Sequence, residues 1–228
     1  MSDGIGKSGF LFAPRTRGQQ QAFDLCRQST VAFLTGMAGT GKTHAALAAA
    51  FYDLRDKKVN RIVLTRPLVT VGEDLGFLKG KLDEKLEPWV QCFMDCMPGL
   101  TFANVELLFK EYVEVVPIAY IRGRTFARAA VVLDEAQNCT YKQLKAVLYR
   151  LGRGGKIFVC GDEEQQDRPG AQYLRDVATT LNGIVHEQGE EQYTAGHVHL
   201  TEQCRHPFIA VMDSCLRDME KKAIASVN

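Results

Sequence analysis

The sequence predicts an α/β fold in which a parallel sheet is covered by helices on both faces, and three observations lead to it. First, strand-like runs such as VAFLTG (31–36) are apolar almost throughout and do not alternate with polar residues. Such runs are typical of strands buried on both faces of a sheet. Second, these runs alternate along the chain with segments of helical periodicity. Third, the segment at 43–55 is alanine-rich and apolar nearly all round, as expected of a helix packed against a sheet.

Each predicted element follows from its local pattern. Buried strands are predicted at 31–36, 61–65, 129–134, 156–162 and 197–202, with a further extended segment at 113–121. Helices are predicted at 19–26, at 43–55, around 83–97, after Thr140 and after Pro207. Thr140 and Gln143 have the spacing of a capping box. Between 66 and 80 the pattern is broken by Pro67 and three glycines, which predicts a long surface loop.

Length and composition are typical of one globular domain. The chain has 228 residues, of which 46% are hydrophobic and 24% charged. We expect one domain at 15–222, between a flexible segment at 1–14 and a tail at 223–228. The net charge of +1 gives no overall attraction to nucleic acid, so any such contact must come from a local patch.

Cysteine usage and hydropathy restrict the cellular setting. Seven cysteines without a CxxC pair argue against a disulfide framework or a zinc site. The N-terminal segment lacks the apolar core of a signal peptide, and no apolar run approaches the roughly 20 residues that a membrane span needs. We therefore expect no membrane association and a cytoplasmic location, in the host cytoplasm if the chain is viral.

The segment GMAGTGKT matches the phosphate-binding pattern GxxxxGK[ST] in full. It follows a predicted strand and opens a predicted helix, where backbone N–H groups and the helix dipole surround a phosphate. Lys42 is expected to reach the β- and γ-phosphate oxygens, and Thr43 to offer its hydroxyl to Mg²⁺. The predicted nucleotide-binding residues of this loop are Gly36, Met37, Ala38, Gly39, Thr40, Gly41, Lys42 and Thr43.

Two adjacent carboxylates follow the predicted strand at 129–134. Burying them is costly unless a cation meets them. Asp134 is therefore expected to meet the Mg²⁺ of a bound nucleotide, directly or through water. Glu135 is placed to orient or deprotonate an attacking water, and capping of the next helix is the alternative. A kinase does not need this second acid, so the pair favours hydrolysis over phosphotransfer. ATP is favoured over GTP because the chain has no NKxD stretch.

Three further residues are candidates for the same site, and each has a structural alternative. Gln165, in CGDEEQQD (160–167), is a candidate to contact the γ-phosphate or the water, and the alternative is a solvated acidic turn. Arg205, in CRHP (204–207), is a candidate to meet transition-state charge, and the alternative is a surface salt bridge. Gln19 is a candidate to read the adenine edge, and the alternative is helix capping.

Six segments of the chain resemble the successive motifs of the PhoH-like P-loop ATPases. They run in order from about Gln19 to about Cys215 and read GMAGTGKT, LTRPLVTVGEDLGFLKG, YIRGRTF, VVLDEAQN, GDEEQQD and CRHP. The resemblance implies a RecA-like P-loop NTPase core, close to superfamily 1 helicases, with five parallel strands in the order 5-1-4-3-2. It also implies ATP and Mg²⁺ at Lys42, Thr43, Asp134 and Glu135, and an association with RNA metabolism.

A single RecA-like core lacks the arginine that a facing domain or subunit places against the transferring phosphoryl group, which contributes about 10³–10⁵ in rate. We therefore expect a neighbouring copy to supply it through a head-to-tail contact that closes as a ring, and the resemblance points to a hexamer. Arg122 and Arg124 are candidates for this role, with contacts to the sheet edge or to RNA phosphates as the alternative. Arg66 is a candidate contact to a nucleic-acid backbone.

The sequence thus predicts an oligomeric Mg²⁺-dependent ATPase with a helicase-like core that acts on, or is stimulated by, single-stranded nucleic acid, RNA rather than DNA. Two alternatives stay open at this point. One is a ring-forming protein-remodelling or assembly ATPase without a nucleic-acid partner. The other is a small-molecule kinase, which Glu135 disfavours.

Overall fold

The computed structural model describes residues 12–67, 109–162 and 173–204, together with the single positions Phe93, Leu107, Phe208 and Met212. The strands in these ranges are β1 (Val31–Gly36), β2 (Arg61–Thr65), β3 (Val113–Val115), β4 (Ala129–Leu133), β5 (Lys156–Gly161), β6 (Val185–Gln188) and β7 (Glu191–Leu200). The helices are α1 (Arg17–Gln28), α2 (Lys42–Arg55), α3 (Tyr141–Leu148) and α4 (Tyr173–Leu181). Short 3-10 helices lie at Ile118–Tyr120 and Ala136–Asn138.

The strands of the described residues form one sheet in the order β3-β2-β4-β5-β1-β7-β6. All neighbours pair in parallel except β6, which pairs antiparallel with β7. Without the edge strands β3 and β6, the remaining five strands have the order 5-1-4-3-2 when counted along the chain. The predicted RecA-like α/β core is therefore confirmed, and β3 and β6 extend it at its two edges.

Helices cover both faces of the sheet, as the apolar strands predicted. Alternate residues of β1 point to opposite faces, so Ala32 and Leu34 join the apolar cluster that includes α1 and α2 residues. Phe33 joins the cluster on the other face, where α3 contributes Leu144 and α4 contributes Leu174. Residues 45–50 of α2 are fully buried, which explains why this helix is apolar nearly all round.

Side-chain caps fix where two of the helices begin. The hydroxyl of Thr16 accepts a hydrogen bond from the backbone N–H of Gln19 at the start of α1. At the start of α3, Thr140 accepts from the N–H of Gln143, and Gln143 Oε1 accepts from the N–H of Thr140 at 2.8 Å. The predicted capping box is therefore confirmed.

Four features of the fold differ from the expectation. The segment at 113–121 is extended only at Val113–Val115 and then forms a 3-10 helix. The last parallel strand begins at Glu191 and not at 197, because its first half pairs with β6 in a hairpin. β6 was not predicted, since its four residues are all exposed and carry no apolar pattern. α4 was not predicted either.

Several predicted elements lie outside the described residues. These are most of the helix at 83–97, of the loop at 66–80 and of the helix after Pro207, although Phe93, Phe208 and Met212 are helical. The segment predicted to be flexible is described only from Phe12, which is buried and stacks on Phe23 with ring centroids 4.6 Å apart. None of the helices among the described residues is both long and apolar enough to cross a bilayer.

Candidate nucleotide site

The phosphate-loop pattern connects β1, in the middle of the sheet, to α2. Gly36, Gly39 and Gly41 have positive φ angles of +132°, +83° and +88°. A Cβ at Gly36 would lie 2.0 Å from the carbonyl oxygen of Leu200, and one at Gly41 would lie 2.2 Å from Nε2 of Gln19. Both the backbone conformation and the close packing therefore require glycine at these two positions.

The first turn of α2 is available to an anion. The helix begins at Lys42 directly after Gly41, and no side chain of the described residues caps it. The first N–H groups of a helix have no acceptor within the helix and carry the positive end of its dipole. Because α1 and α3 are capped by side chains and α2 is not, its N–H groups can bind phosphate oxygens.

The ammonium group of Lys42 lies inside the loop. Its Nζ donates hydrogen bonds to the carbonyl oxygens of Gly36 at 2.7 Å and Met37 at 2.8 Å. Burial lowers the pKa of Lys42, and the negative charge of Asp162 opposes that effect. A buried ammonium with two of its three donors on loop carbonyls can exchange those partners for the more strongly accepting oxygens of a phosphate.

Asp134 lies beside the first turn of α2, directly after β4. The hydroxyl of Thr43 donates a hydrogen bond to Oδ1 of Asp134 at 2.7 Å. The backbone N–H of Asp134 donates to the carbonyl oxygen of Thr65 at 2.9 Å, which continues the β2–β4 pairing. The carboxylate is buried. A hydroxyl and a carboxylate held side by side next to a phosphate loop are oxygen ligands of the kind that Mg²⁺ prefers.

Glu135 has a left-handed backbone conformation, with φ +51° and ψ +41°, which costs about 1–3 kcal/mol in a non-glycine residue. Its Oε2 accepts a hydrogen bond from Gln137 at 2.5 Å, and its Oε1 lies 3.8 Å from the guanidinium of Arg66. Burial, and then the charge of Asp134, raise the pKa of Glu135.

The alternative role of Glu135, as a helix cap, is not supported for its side chain, although the residue occupies the N-cap position of the Ala136–Asn138 helix. The 3-10 helix that follows Glu135 receives no hydrogen bond from its side chain. The next α-helix is capped by Thr140 instead. The backbone of Glu135 begins the 3-10 helix, since its carbonyl oxygen accepts from the N–H of Asn138 at 3.0 Å, while its carboxylate stays free of any capping bond.

Gln137 belongs to the site, although the sequence did not single it out. It is 1% exposed. Its Nε2 donates to Glu135, while its Oε1 accepts from the backbone N–H of Asp162 at 2.9 Å. One buried amide thus joins Glu135 to the end of β5. The signal that could have pointed to it is its position two residues after the acids in DEAQN.

Gln19 packs against the phosphate loop from α1. Its Nε2 donates to the carbonyl oxygen of Thr40 at 3.1 Å and to Sγ of Cys204 at 3.0 Å. Its Oε1 accepts from the backbone N–H of Arg15 at 2.8 Å, which agrees in part with the helix-start alternative. The N–H of Cys204 donates to the carbonyl oxygen of Gly39 at 2.9 Å. The segment after β7 therefore closes one side of the loop.

Three of the four arginines singled out by the sequence lie among the described residues, in different settings. Arg66 is at the tip of β2, next to Glu135. Arg124 forms a two-point ion pair with Glu114 on β3, with distances of 2.7 and 2.8 Å. Arg122 lies on an exposed turn after the Ile118–Tyr120 helix. The predicted roles of Gln165 and Arg205 fall on residues outside the described ranges.

The described geometry thus brings together Gln19, the loop from Gly36 to Thr43, Asp134, Glu135 and Arg66. Arg124 is held by a carboxylate at the β3 edge, away from this group. The arrangement provides N–H donors and one ammonium for phosphates, two oxygen ligands for a divalent metal, and one carboxylate with a raised pKa. These are the groups that hydrolysis of a nucleoside triphosphate requires.

Comparison with known proteins identifies relatives of the chain. A family model described as PhoH-like protein matches residues 12–215. The chain is 44% identical over 170 residues to a PhoH-like protein of Mycobacterium tuberculosis, which covers 74% of this chain and 48% of that protein. It is 36% identical over 203 residues to a PhoH-like protein of Bacillus subtilis, covering 86% and 61%. It is 37% identical over 197 residues to Protein PhoH of Escherichia coli, covering 83% and 53%. The chain therefore spans about half the length of these relatives.

Proposed function

The chain belongs to the PhoH-like protein family, and from that premise we propose that it is a Mg²⁺-dependent ATPase that acts on single-stranded nucleic acid. The preference for RNA over DNA rests on the family resemblance. We also propose that the active form is a ring of identical subunits, a hexamer by the same resemblance.

One observation carries the ATPase proposal. The hydroxyl of Thr43, in the first turn of α2, lies 2.7 Å from Asp134 at the end of β4. These residues are 91 positions apart, and the fold brings them together next to the buried ammonium of Lys42. A glycine-rich loop that matched the phosphate-binding pattern by chance would not place a hydroxyl, a carboxylate and an ammonium around one helix start.

Each residue then has a distinct task. The N–H groups of the loop and Lys42 bind and orient the β- and γ-phosphates. Thr43 and Asp134 would hold Mg²⁺, which supplies neutralisation of the phosphate charge when it is bound. Glu135 orients the attacking water and accepts its proton, for which a raised pKa is favourable. Gln19 would read the adenine edge, Gln165 the γ-phosphate or the water, and Arg205 transition-state charge.

The experiment that tests the ATPase proposal compares phosphate release from ATP in Mg²⁺ and in excess EDTA. We expect turnover in Mg²⁺ only, and we expect Lys42→Ala to weaken binding of a fluorescent ATP analogue. Lys110→Ala, which changes an exposed lysine, is the matched control and should behave as the wild type. Tight ATP analogue binding by Lys42→Ala would contradict the assignment of the loop.

The nucleic-acid and ring components need their own measurements. Turnover should rise when single-stranded RNA is added, and the rise should fade as salt increases, because backbone contacts release counterions. Transfer of phosphate to an added acceptor would favour a kinase, and stimulation by a protein client alone would favour a remodelling ATPase. The mass of the ATP-analogue complex should be several times 25.4 kDa; a fully active monomer would overturn the ring.

A further inference from the structure

The exposed side of α3 and the start of α4 present aromatic rings among cations. Tyr141 begins α3 and is 46% exposed, and Tyr149, at its C-terminal end, is 67% exposed. Lys145 lies midway between them and places its Nζ 5.1 Å from the centre of the Tyr149 ring. Residues spaced four apart lie along one side of a helix, so Tyr141, Lys145 and Tyr149 form one stripe.

The first residue of α4 adds a ring to this stripe. Tyr173 is 45% exposed, and its ring centroid lies 5.3 Å from that of Tyr141 at an interplanar angle of 58°. The two rings contact each other across the α3–α4 boundary while each leaves nearly half of its surface to solvent. We call Tyr141, Lys145, Tyr149 and Tyr173 the tyrosine surface.

From this placement we propose that the tyrosine surface is a base-stacking site for single-stranded nucleic acid. Aromatic faces stack on any base, which gives binding without sequence preference. The charge of the surface fits a polyphosphate backbone, since α3 carries Lys142 and Lys145 and no carboxylate, while the first turn of α4 carries Asp176 beside Arg175. Tyrosine is enriched in protein–protein interfaces too, but lysine is depleted there, so the lysines are what favours a nucleic acid over a protein.

The position of the surface links it to the hydrolysis site. Tyr141 lies six residues after Glu135, and the connection that follows Asp162 leads to Tyr173, the first residue of α4. Gln137 joins these two connections, because its amide contacts both Glu135 and Asp162. A nucleic-acid strand bound across Tyr141 and Tyr173 therefore contacts α3 and α4, the helices that follow Glu135 and Asp162 along the chain. This inference deepens the proposed function and rests on it.

The test is fluorescence anisotropy of a labelled oligouridine and oligothymidine of about 15 nucleotides, a length within the span of known single-strand sites. The full chain is titrated at low salt with a non-hydrolysable ATP analogue present. Removal of one stacked base contact weakens binding about fivefold or more. We therefore expect Tyr141→Ala/Tyr173→Ala and Tyr149→Ala each to raise the Kd by at least that factor, and the corresponding phenylalanine variants to restore binding.

Two controls separate stacking from general effects. Tyr120→Ala removes a tyrosine that is 62% exposed on another part of the molecule, and it should leave the Kd unchanged. Lys145→Gln should reduce the slope of log Kd against log salt by about one, while the tyrosine variants should leave that slope unchanged. Basal ATP turnover without nucleic acid should persist in all of these variants.

The outcomes are distinct. Wild-type protein that binds neither oligonucleotide overturns the nucleic-acid part of the proposed function and the tyrosine surface with it. Wild-type binding that survives both alanine variants overturns the surface alone and leaves the ATPase standing. If the double variant loses basal turnover as well, Tyr149→Ala, whose ring is mostly solvated, decides the question. If the tyrosine surface binds a protein ligand and not RNA, the surface belongs to a protein partner and the proposal is overturned.

Discussion

The two ends of the central sheet both hold buried carboxylates, but they balance the negative charge in opposite ways. At the amino end, Asp53 in α2 is fully buried and lies 2.5 Å from Arg27 and 3.0 Å from Lys156. Lys58 is a third cation at 3.9 Å. Three cations therefore surround one carboxylate, so its negative charge is fully compensated. The ion pairs of Asp53 with Arg27 and Lys156 also connect α2 to α1 and β5.

At the carboxyl end the balance is reversed. Asp134 and Glu135 are adjacent, and the ion pair among the described residues there joins Glu135 to Arg66 at 3.8 Å. Lys42 is close enough to lower the pKa of Glu135 slightly, yet its hydrogen bonds go to loop carbonyls. The pKa of Glu135 is raised in consequence of burial and of Asp134. The buried carboxylate at the amino end is neutralised by the protein's own cations and stabilises the packing of the helices on the sheet. The carboxyl end keeps a surplus of negative charge that suits a bound cation.

The largest expected effect is on turnover at the carboxyl end. Glu135→Gln should slow ATP hydrolysis by about 10²–10⁴-fold while ATP analogue binding is kept, because the amide cannot accept the proton of water. The free energy of unfolding should stay the same or rise, since a buried like-charge pair is removed. Steady-state turnover and urea unfolding measure the two quantities, with Glu187→Gln on exposed β6 as the control.

At the amino end of the sheet, neutralising the buried carboxylate should lower stability. Asp53→Asn leaves Arg27 and Lys156 without their buried counter-charge, which should lower the free energy of unfolding by about 3–5 kcal/mol. Asp56→Asn removes a partly exposed partner of the same Arg27 and should cost less than about 1 kcal/mol. Denaturant midpoints measure both. Equal losses of unfolding free energy in Asp53→Asn and Glu135→Gln would show that the two ends of the sheet do not differ in how their carboxylates are neutralised.

A smaller effect is expected at the link between the site and the end of β5. Gln137→Leu removes the donor to Glu135 and leaves the N–H of Asp162 without its acceptor, which should lower the free energy of unfolding by about 1–3 kcal/mol. We expect kcat to fall about tenfold, equivalent to about 1.4 kcal/mol, with an unchanged ATP Kd. Gln143→Ala, which breaks only the capping box of α3, should lower stability without changing kcat. A parallel loss of ATP affinity in Gln137→Leu would mean that the amide only supports the loop.

The smallest effect concerns the β3 edge. A hydrogen bond from Arg124 lowers the pKa of Glu114, so their pair contributes stability above the unfolded carboxyl pKa and loses it as pH falls through the folded value. Because both side chains are partly exposed, Arg124→Gln should cost less than about 1 kcal/mol at pH 7, and the difference should vanish in acid.

The same edge can sharpen the ring proposal. Since Arg124 is held by Glu114, Arg122 is the better candidate to act on a neighbouring subunit. Arg122→Ala should reduce turnover of the assembled form, while Arg124→Gln should not. If turnover is lost in Arg124→Gln and kept in Arg122→Ala, Arg124 and not Arg122 acts on the neighbouring subunit. The measurement is turnover at a protein concentration where sizing shows the oligomer.

Local sequence patterns predicted the core of the fold and most of the site. The apolar runs of β1, β2, β4 and β5 indicated buried strands because polar residues occur only near their ends. The glycines of the phosphate loop and the acids after β4 identified the nucleotide site for the same local reason. β6 was missed because an exposed strand is held by pairing with its neighbour and leaves no apolar signature.

By itself, the sequence determined the α/β class, the phosphate loop and the presence of two acids at the end of a strand, because each of these is encoded within about ten consecutive residues. Only the tertiary structure decided which acid touches Thr43, that Glu135 is aimed by Gln137, and that Arg124 is already paired. It alone also joined Tyr141 to Tyr173. The physical reason is that a side-chain contact depends on strand order and backbone direction, which bring residues as distant in the chain as Thr43 and Asp134, 91 positions apart, within hydrogen-bond distance.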